Sequence, residues 1–581
     1  MTDSRDKVVD IAAQVEARRR QEAEELAAAK KDEPKSQAGG PDDPKFVREC
    51  LDHNERGDGI LYASLHSGKF IYNKTSGKWL CFNGHHWEDD LFDRAVDCVE
   101  AVALRYLAAA DALVDQIAEA RDKLDAANVK VSAANKMSKI LAKSGSSEEQ
   151  GNCDREGKAA AEEAALAASQ LKKLMGLRKK YLTRVDRCRG KAGVERTLFF
   201  AHIAGRLHLR SEDLDQHPML LPCQNGVIDL ETGRLIAGVP EQYLLRAIPV
   251  PFNGVDRTNP DFRPFLFDIY RNDQDIVEFV LRLLGYCLTG LRIEHFIACF
   301  IGRGRNGKGT LFEIMHDLLG ALAWAIDPEM LMETRTPPNA SSHSAHLASL
   351  KGRRLCIGAE TEENRRISGA AVKRLTGGDI IKTRAPNDRE EINFRPTHKL
   401  VLHTNDLPSG LTKDFALRER LIIVDHPMLY VDNPEQRAAE KPHLAERFRA
   451  KDRTLPQRLR ANLPGILAEI VRYCLLWQRE GLNPPEKIRA ATEETYRSED
   501  HLGRFLDEVV HKDPGGKTGF TYFYDRYKDW YADTVDEKCK YIQTKRTVGK
   551  ELRERGYILP DPKETAGKLW ILDIYLPQAA L

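Results

Sequence analysis

Gly302, Gly307 and Lys308 stand in the spacing G-x-x-x-x-G-K within IGRGRNGKGT, and that combination can hold a polyphosphate. Glycines let successive backbone N–H groups curl around phosphate oxygens without Cβ clashes. A helix starting just after the turn aims its positive end at the same anion, and Lys308 would sit on the β- and γ-phosphates. The candidate nucleotide-binding loop is therefore Gly302, Arg303, Gly304, Arg305, Asn306, Gly307, Lys308, Gly309 and Thr310. Gly309 occupies the position where Ser or Thr normally offers a hydroxyl to Mg²⁺, so that ligand must be Thr310 or water. Gly302, Gly304 and Gly307 also satisfy G-x-G-x-x-G, with Asp327 about 20 residues on where a dinucleotide site wants an acid. The lysine directly after Gly307 favours the phosphate loop.

Hydrolysis of a nucleoside triphosphate needs further groups. Glu360, at the end of an apolar run, is the first choice for the acid that holds Mg²⁺ and activates water, with Glu362 the second. Asn405, at the end of another such run, is placed to position the attacking water. Arg418 and Arg420 flank the start of a further run, where they could stabilise charge on a neighbouring subunit's γ-phosphate or simply pair with Glu419. Contact with a DNA backbone needs exposed positive charge. Lys382, Arg384 and Arg389 surround the tip of an expected hairpin, and Lys545, Arg546, Lys550 and Arg553 decorate a basic helix; solvated surface is the competing role for both groups.

These residues need a scaffold that brings strand ends together. Phe296–Ile301 reads as a buried strand leading into the loop, followed by an amphipathic helix. Strands are expected at 355–359 and 400–404 and just after Arg420, with a short helix over 371–376 stopped by Gly377 and Gly378. A strand pair is expected across 380–394. Regular alternation of this kind argues for an α/β nucleotide-binding domain, expected over 256–435. Upstream, residues 1–44 are too poor in large apolar groups to form a core. An α+β domain is expected over 45–255: a small hairpin module at 70–90, two long helices separated by a break at Ser144–Asp154, and strands around an Asn-Gly turn at 220–235. Adjacent His85 and His86 in the hairpin point to opposite faces of a strand and so suit core packing better than a metal site. Downstream, a helical segment is expected over 436–500. A helix-turn-helix with a wing is expected over 501–581, its strand pair being Tyr557–Leu559 and Leu569–Leu576.

A net charge of +1 puts any DNA-binding surface in local patches. Eleven cysteines without a C-x-x-C argue against a zinc ribbon or a disulfide framework and fit a reducing cytoplasm. With no signal-like apolar core and no membrane-length run, a soluble protein of a bacterial or phage-infected cell is expected, with no membrane partner.

Taken together, GRGRNGKGT, RRLCIGAETEE with AAVKRLTGGD downstream, RPTHKLVLHTND and DFALRERLIIV resemble superfamily 3 helicases. The similarity is to the helicase portion of primase-helicases from phages, plasmids and large DNA viruses. LLPCQNGVIDLETGRL and LRLLGYCLTG look like that family's lead-in, and LGRFLDEVV begins something similar to its C-terminal winged domain. The resemblance implies a multidomain protein with an α/β P-loop (AAA+-like) ATPase core, a helical and partly β N-terminal region and a C-terminal winged helix. It implies ATP and Mg²⁺ as cofactors, single-stranded and forked DNA as substrates, a homo-oligomeric, hexameric ring, and a separate primase or polymerase as partner. By the same resemblance Lys308 is the phosphate-loop lysine, Glu360 the metal and catalytic acid supported by Glu362, Asn405 the sensor and Arg420 the arginine finger. Lys382 and Arg384 would track single-stranded DNA. Glu419 stands where family members often carry a second arginine, which leaves the role of Arg418 open. An initiator that uses ATP only to assemble on DNA, or a P-loop ATPase of element mobilisation or defence, are the alternative functions.

Overall fold

The computed structural model describes residues 40–144, 147–333, 345–359, 366–384, 392–405, 415–535, 539, 542–560 and 569–577. Two compact units emerge: one runs to His217 and includes Ala237–Arg246, the other comprises Pro218–Ile236 and everything from Ala247 onward. The strands at 220–236, read from sequence as part of a domain ending at 255, thus pack within the second unit.

In the first unit α1 (Pro44–Asp52) and α2 (Asn54–Leu65) precede β1 (Phe70–Asn73), β2 (Lys78–Phe82) and β3 (Trp87–Asp89). After α3 (Glu100–Asp111) come two long helices, α4 (Val114–Ser144) and α5 (Ser147–Arg189), then α6 (Lys191–Ile203) and β4 (His208–Leu209). The four strands form one sheet in the order β3-β2-β1-β4. At 1.5 Å per residue α4 and α5 extend roughly 45 and 65 Å. The expected break at Ser144–Asp154 is shorter than its composition suggested, because α5 is already helical from Ser147. Glu148 and Glu149 lie in its first turn, where they suit the positive end of the helix, and Cys153 packs back on the Ala134 carbonyl of α4. The base of the hairpin is tied into the core by Arg184, which donates to both carboxylate oxygens of the buried Asp58 at 2.9 and 3.0 Å, while Tyr106 donates to the same carboxylate at 2.9 Å.

The second unit opens with an antiparallel sheet of β5 (Leu220–Cys223), β6 (Gly226–Asp229) and β7 (Arg234–Ile236), followed by α7 (Phe262–Ile269) and α8 (Gln274–Cys287). Then come β8 (Ile297–Ile301), α9 (Lys308–Leu319), β9 (Ala323–Ile326), β10 (Leu355–Ala359) and α10 (Gly369–Thr376). A hairpin of β11 (Ile381–Thr383) and β12 (Ile392–Phe394) leads to β13 (Lys399–Thr404) and β14 (Leu421–Asp425). The central sheet has the order β14-β8-β13-β10-β9, and every pairing in it is parallel. Helices cover a parallel sheet on its faces, so its strands must be apolar throughout; Ile297, Ala298, Cys299 and Phe300 are fully buried. Two short parallel strands, β15 (Leu429–Val431) and β16 (Phe448–Ala450), are followed by α11 (Leu455–Ala461), α12 (Leu463–Glu480) and α13 (Glu486–Glu499).

The C-terminal part comprises α14 (His501–Val509), β17 (His511–Gly519), α15 (Phe520–Thr534), α16 (Lys545–Glu554) and β18 (Trp570–Tyr575) around Leu502, Phe505, Phe523, Tyr527, Leu552 and Ile571. The expected strand pair is altered here: β18 forms its antiparallel ladder with β17, while 557–559 is not a strand and meets β18 through the Leu572 N–H, which donates to the Ile558 carbonyl at 3.0 Å. Within HKDPGGKTG the Pro-Gly-Gly lies where the strand register shifts, and the Gly515 N–H donates to Asp573 at 2.9 Å. A bulge absorbs residues that a regular strand would reject. Among the described residues no helix is long and apolar enough to cross a membrane.

Candidate nucleotide-binding site

The loop between β8 and α9 is built around close approaches that only glycine permits. A Cβ on Gly302 would lie 2.3 Å from Asn306 Nδ2 and 2.6 Å from the His426 carbonyl. Gly307, with φ 86°, caps α9, and a Cβ there would lie 2.6 Å from Ile269 Cγ2 of α7. The loop is also fastened to the neighbouring strand. The Gly302 N–H donates to the Thr404 carbonyl at 3.3 Å, and the Gly304 N–H reaches Asn405 Oδ1 at 3.4 Å. Tyr430 N–H donates to the Arg305 carbonyl at 2.8 Å from the other side. Lys308 is buried, and its ammonium donates to the Gly302 carbonyl at the floor of the turn.

These residues open onto a cavity of about 810 Å³. Its first wall is the loop from Gly304 to Thr310; its second is His403, Thr404 and Asn405 at the C-terminal end of β13. Facing them are Phe265 and Asp268 of α7, Tyr430, and the stretch Ala450–Arg458, which carries Lys451, Arg453 and Arg458. Tyr430 donates to Asp268 at 2.6 Å, joining two walls that are far apart in sequence. Arg458 is held by Asp261 at 2.9 Å and Asp452 at 3.0 Å, and hydrogen bonds from Thr454 and Arg458 keep the Asp452 carboxyl at about 2. Behind the loop, burial holds His426 down at about 3, with the Lys308 ammonium pushing the same way. Its imidazole is therefore neutral and shares a hydrogen bond of 3.1 Å with the Tyr270 hydroxyl.

The fold thus unites Lys308, Thr310 and Asn405, all three read from sequence, at the C-terminal edge of the sheet. It sets Arg418 and Arg420 apart. The Arg420 carbonyl accepts from the Ile297 N–H at 2.8 Å, at the start of β8, whereas the loop leaves its end. The five residues of β8 separate them by about 16 Å, too far for a side chain of the same chain to bridge comfortably to the phosphate turn. Arg418 does not pair with Glu419: it donates to Glu493 at 2.5 and 2.7 Å and lies over the Tyr496 ring at 5.0 Å. Lys382 and Arg384 are both exposed, two residues apart on β11 and its end, and so share a face. On α16, Lys545 lies 5.4 Å from the Tyr524 ring centre, Lys550 pairs with Glu554 at 3.3 Å, and Arg546 is exposed. Glu360, Glu362 and Arg389 lie outside the described residues.

Sequence reading missed Phe265, Asp268, His403, Tyr430 and the basic stretch 449–458. No local motif marks the first four. The run RAKDR was a usable signal, since three cations in five residues seldom serve packing alone. For Mg²⁺, Thr310 lines the cavity while Gly309 leaves open space beside it. An ion carried mainly by nucleotide phosphates and water needs few protein ligands, and this arrangement fits one.

A multidomain α/β protein with a five-stranded parallel sheet and a glycine-rich loop at its C-terminal edge is the class that emerges. The family model described as D5 N terminal like matches residues 60–271. The chain is 28% identical over 333 residues to "Putative helicase L207/L206" of Acanthamoeba polyphaga mimivirus, covering 56% of this chain and 34% of that protein. It is 25% identical over 266 residues to "Putative helicase 022R" of Frog virus 3 (isolate Goorha), covering 44% and 26%. It is 24% identical over 346 residues to "Putative primase C962R" of African swine fever virus (isolate Tick/Malawi/Lil 20-1/1983), covering 56% and 34%. The NrS-1 C terminal region (305-718) aligns over 61% of this chain and 75% of that one at 13% identity and a TM-score of 0.33. The resemblance read from the motifs is borne out: the chain carries a D5 N terminal like region and is related to proteins of large DNA viruses named as helicases and primases. It spans about a third of the length of the mimivirus and swine fever virus relatives.

Proposed function

We propose that this chain is an ATP- and Mg²⁺-dependent DNA helicase of superfamily 3, acting in replication of a phage, plasmid or integrated element as a ring-shaped homo-oligomer, a hexamer. The observation that carries the reading is the composite cavity in which the loop Gly304–Thr310 and the side chain of Asn405 meet. ATP would lay its phosphates along the backbone N–H groups of the loop, with Lys308 on the β- and γ-phosphates and the base towards Phe265 and Leu455. Mg²⁺ would neutralise charge between those phosphates, held by Thr310 or water together with Glu360. Glu360, supported by Glu362, would take the proton of the attacking water, and Asn405 would orient it in line with the departing ADP.

Arg420 would act on the ATP of the adjacent subunit, a role supported by its distance from the loop of its own chain. Arg418, engaged by Glu493, would position the segment instead. Lys382, Arg384 and Arg389 would grip single-stranded DNA. The helix, strand, helix, helix, strand order of His501–Tyr575 supports a winged helix whose Lys545, Arg546 and Lys550 face nucleic acid.

The test is a forked-DNA unwinding assay on wild type and Lys308→Ala, with native mass measured alongside. Unwinding by a ring-sized wild type and none by the variant is expected. Site-specific duplex binding without strand separation, or ATPase indifferent to single-stranded DNA, would favour the initiator or the mobilisation and defence readings. Lys382→Ala with Arg384→Ala should keep hydrolysis while losing unwinding; full unwinding by that double variant would refute the hairpin assignment.

A further inference from the structure

The helical hairpin of the first unit carries a groove with no part in the nucleotide site. It measures about 880 Å³ and lies between one face of α4 and one face of α5. The residues follow helical spacing: Val114, Ile117, Arg121 and Leu124 on α4, and Leu171, Met175 and Leu182 on α5. The ten helical steps from Val114 to Leu124 of α4 give the groove a length of about 15 Å, or nearly three turns of a docked helix. Its floor is apolar yet accessible, with Val114 46% and Met175 48% exposed. At Gly176 an added Cβ would meet nothing within 4 Å, so a partner backbone can approach closely there.

The rim has one sign of charge. Arg121, Lys172, Arg178 and Lys179 line the groove and no acid does. Among the described residues none of these four makes an ion pair, and the Arg178 Nε is buried without a hydrogen-bond acceptor. Elsewhere on the hairpin acids share the surface with the cations, as where Lys130 pairs with Glu163 at 2.9 Å. The groove is held open by the rest of the unit: Ile117, Leu174 and Leu182 pack against the core, and Arg184 is bonded to Asp58 just beyond it. A binding surface that is shaped before binding avoids part of the ordering cost.

We propose that this groove is a docking site for an acidic amphipathic helix of a partner protein. Apolar side chains at i, i+3, i+4 and i+7 would fill the floor between α4 and α5, and flanking carboxylates would meet Arg121, Lys172, Arg178 and Lys179. The apolar floor distinguishes it from a nucleic-acid track, which would place polar groups and stacking aromatics along the channel. The inference is independent of ATP hydrolysis.

The test uses the full chain and a fluorescein-labelled 20-residue helical peptide with leucine at that spacing and glutamate elsewhere. A second peptide carries lysine for glutamate, and a single-stranded thymidine 20-mer completes the set. Saturable anisotropy change with the acidic peptide alone is expected, weakened at least tenfold by Lys172→Glu with Lys179→Glu and, separately, by Met175→Glu. All three positions are exposed, so circular dichroism should be unchanged. No saturable binding of the acidic peptide, or binding that ignores both variants, overturns the proposal. DNA binding lost in the charge-reversed variant overturns it in favour of nucleic acid, and a variant that alters native mass overturns it in favour of a second copy of this chain.

Discussion

At the C-terminal edge of the central sheet, the Lys308 ammonium donates to the Gly302 carbonyl at the floor of a turn that opens onto a cavity of about 810 Å³. At the N-terminal edge, Arg292, Arg354 and Lys399 precede or begin β8, β10 and β13 and face no cavity among those described. Lys399 donates to the Thr289 carbonyl, to Thr289 Oγ1 at 3.1 Å and to the Thr397 carbonyl at 3.4 Å, with its ammonium 4.4 Å from the Tyr286 ring centre. Arg354 donates to the carbonyls of Leu288 at 3.1 Å, Leu220 at 2.9 Å and Pro218. Arg292 donates to those of Leu375 at 3.2 Å, Gly377 at 3.0 Å and His398. Of these acceptors, Leu288, Thr289, Leu375 and Gly377 lie where α8 and α10 end and the others in the segments beside β5 and β13, so the charge serves structure. The contrast teaches that the surroundings separate the two uses of a buried cation: Lys308 lines a cavity, whereas Arg292, Arg354 and Lys399 are enclosed by backbone carbonyls.

Swapping the roles should show the contrast directly. Lys308→Ala should lower the ATP hydrolysis rate by at least about a hundredfold while changing the unfolding free energy by only about 1 kcal/mol, read by steady-state kinetics and urea denaturation. Normal ATPase in that variant would move the site elsewhere. Lys399→Met should do the reverse. Leaving the Thr289 and Thr397 carbonyls without their donor should cost about 1–3 kcal/mol of stability, with hydrolysis per folded molecule unchanged. A Lys399→Met protein as stable as wild type would break the structural reading of that edge.

Acid probes both edges at once, because each has one buried neutral histidine. Burial holds His426 near the loop and His398 at the far edge down at about 3, the latter aided by Arg292 and Lys399. The unfolded chain takes up these protons near the ordinary value of 6.5, whereas the folded chain does not until about 3. Their contribution is thus fully present above 6.5 and is lost as pH falls through this window, at up to about 1.4 kcal/mol per pH unit for each histidine. His398→Asn should flatten the decline between pH 6.5 and about 5, where carboxylates still remain ionised. An unchanged slope would mean that His398 is charged in the fold.

The smallest expected effect separates two glycines of one loop. A Cβ on Gly309 meets nothing within 4 Å, so Gly309→Ala should stabilise α9 by about 0.5–1 kcal/mol by thermal unfolding. Destabilisation would show that Gly309, like Gly307, is required by the fold.

Much of the scaffold was legible. The apolar run 297–301, the Gly377 stop of α10 and the Asn-Gly turn before β6 each follow from local chemistry. Where reading failed, local cues were outvoted by distant ones. No strand is expected over 511–519, where Pro514, Gly515 and Gly516 are poor strand formers, yet β18 supplies a partner and a bulge absorbs them. The loop, Thr310 and Asn405 were found because each terminates or follows a strand, and strand ends of a parallel sheet converge on one edge. Phe265, Tyr430 and Arg458 were not, because each reaches the cavity through contacts spanning many residues.

By itself the sequence determined the chemistry available: a glycine-rich turn with a lysine, flanked by a strand and a helix, because those rules act over a few residues. Only the tertiary structure decided which polar groups share the cavity and which face away. Sheet order brings β13 beside β8, so Asn405 meets Gly304, while parallel strands carry Arg420 to the opposite edge. Strand order and direction arise from the packing of the whole α/β unit, and no stretch of ten residues contains them.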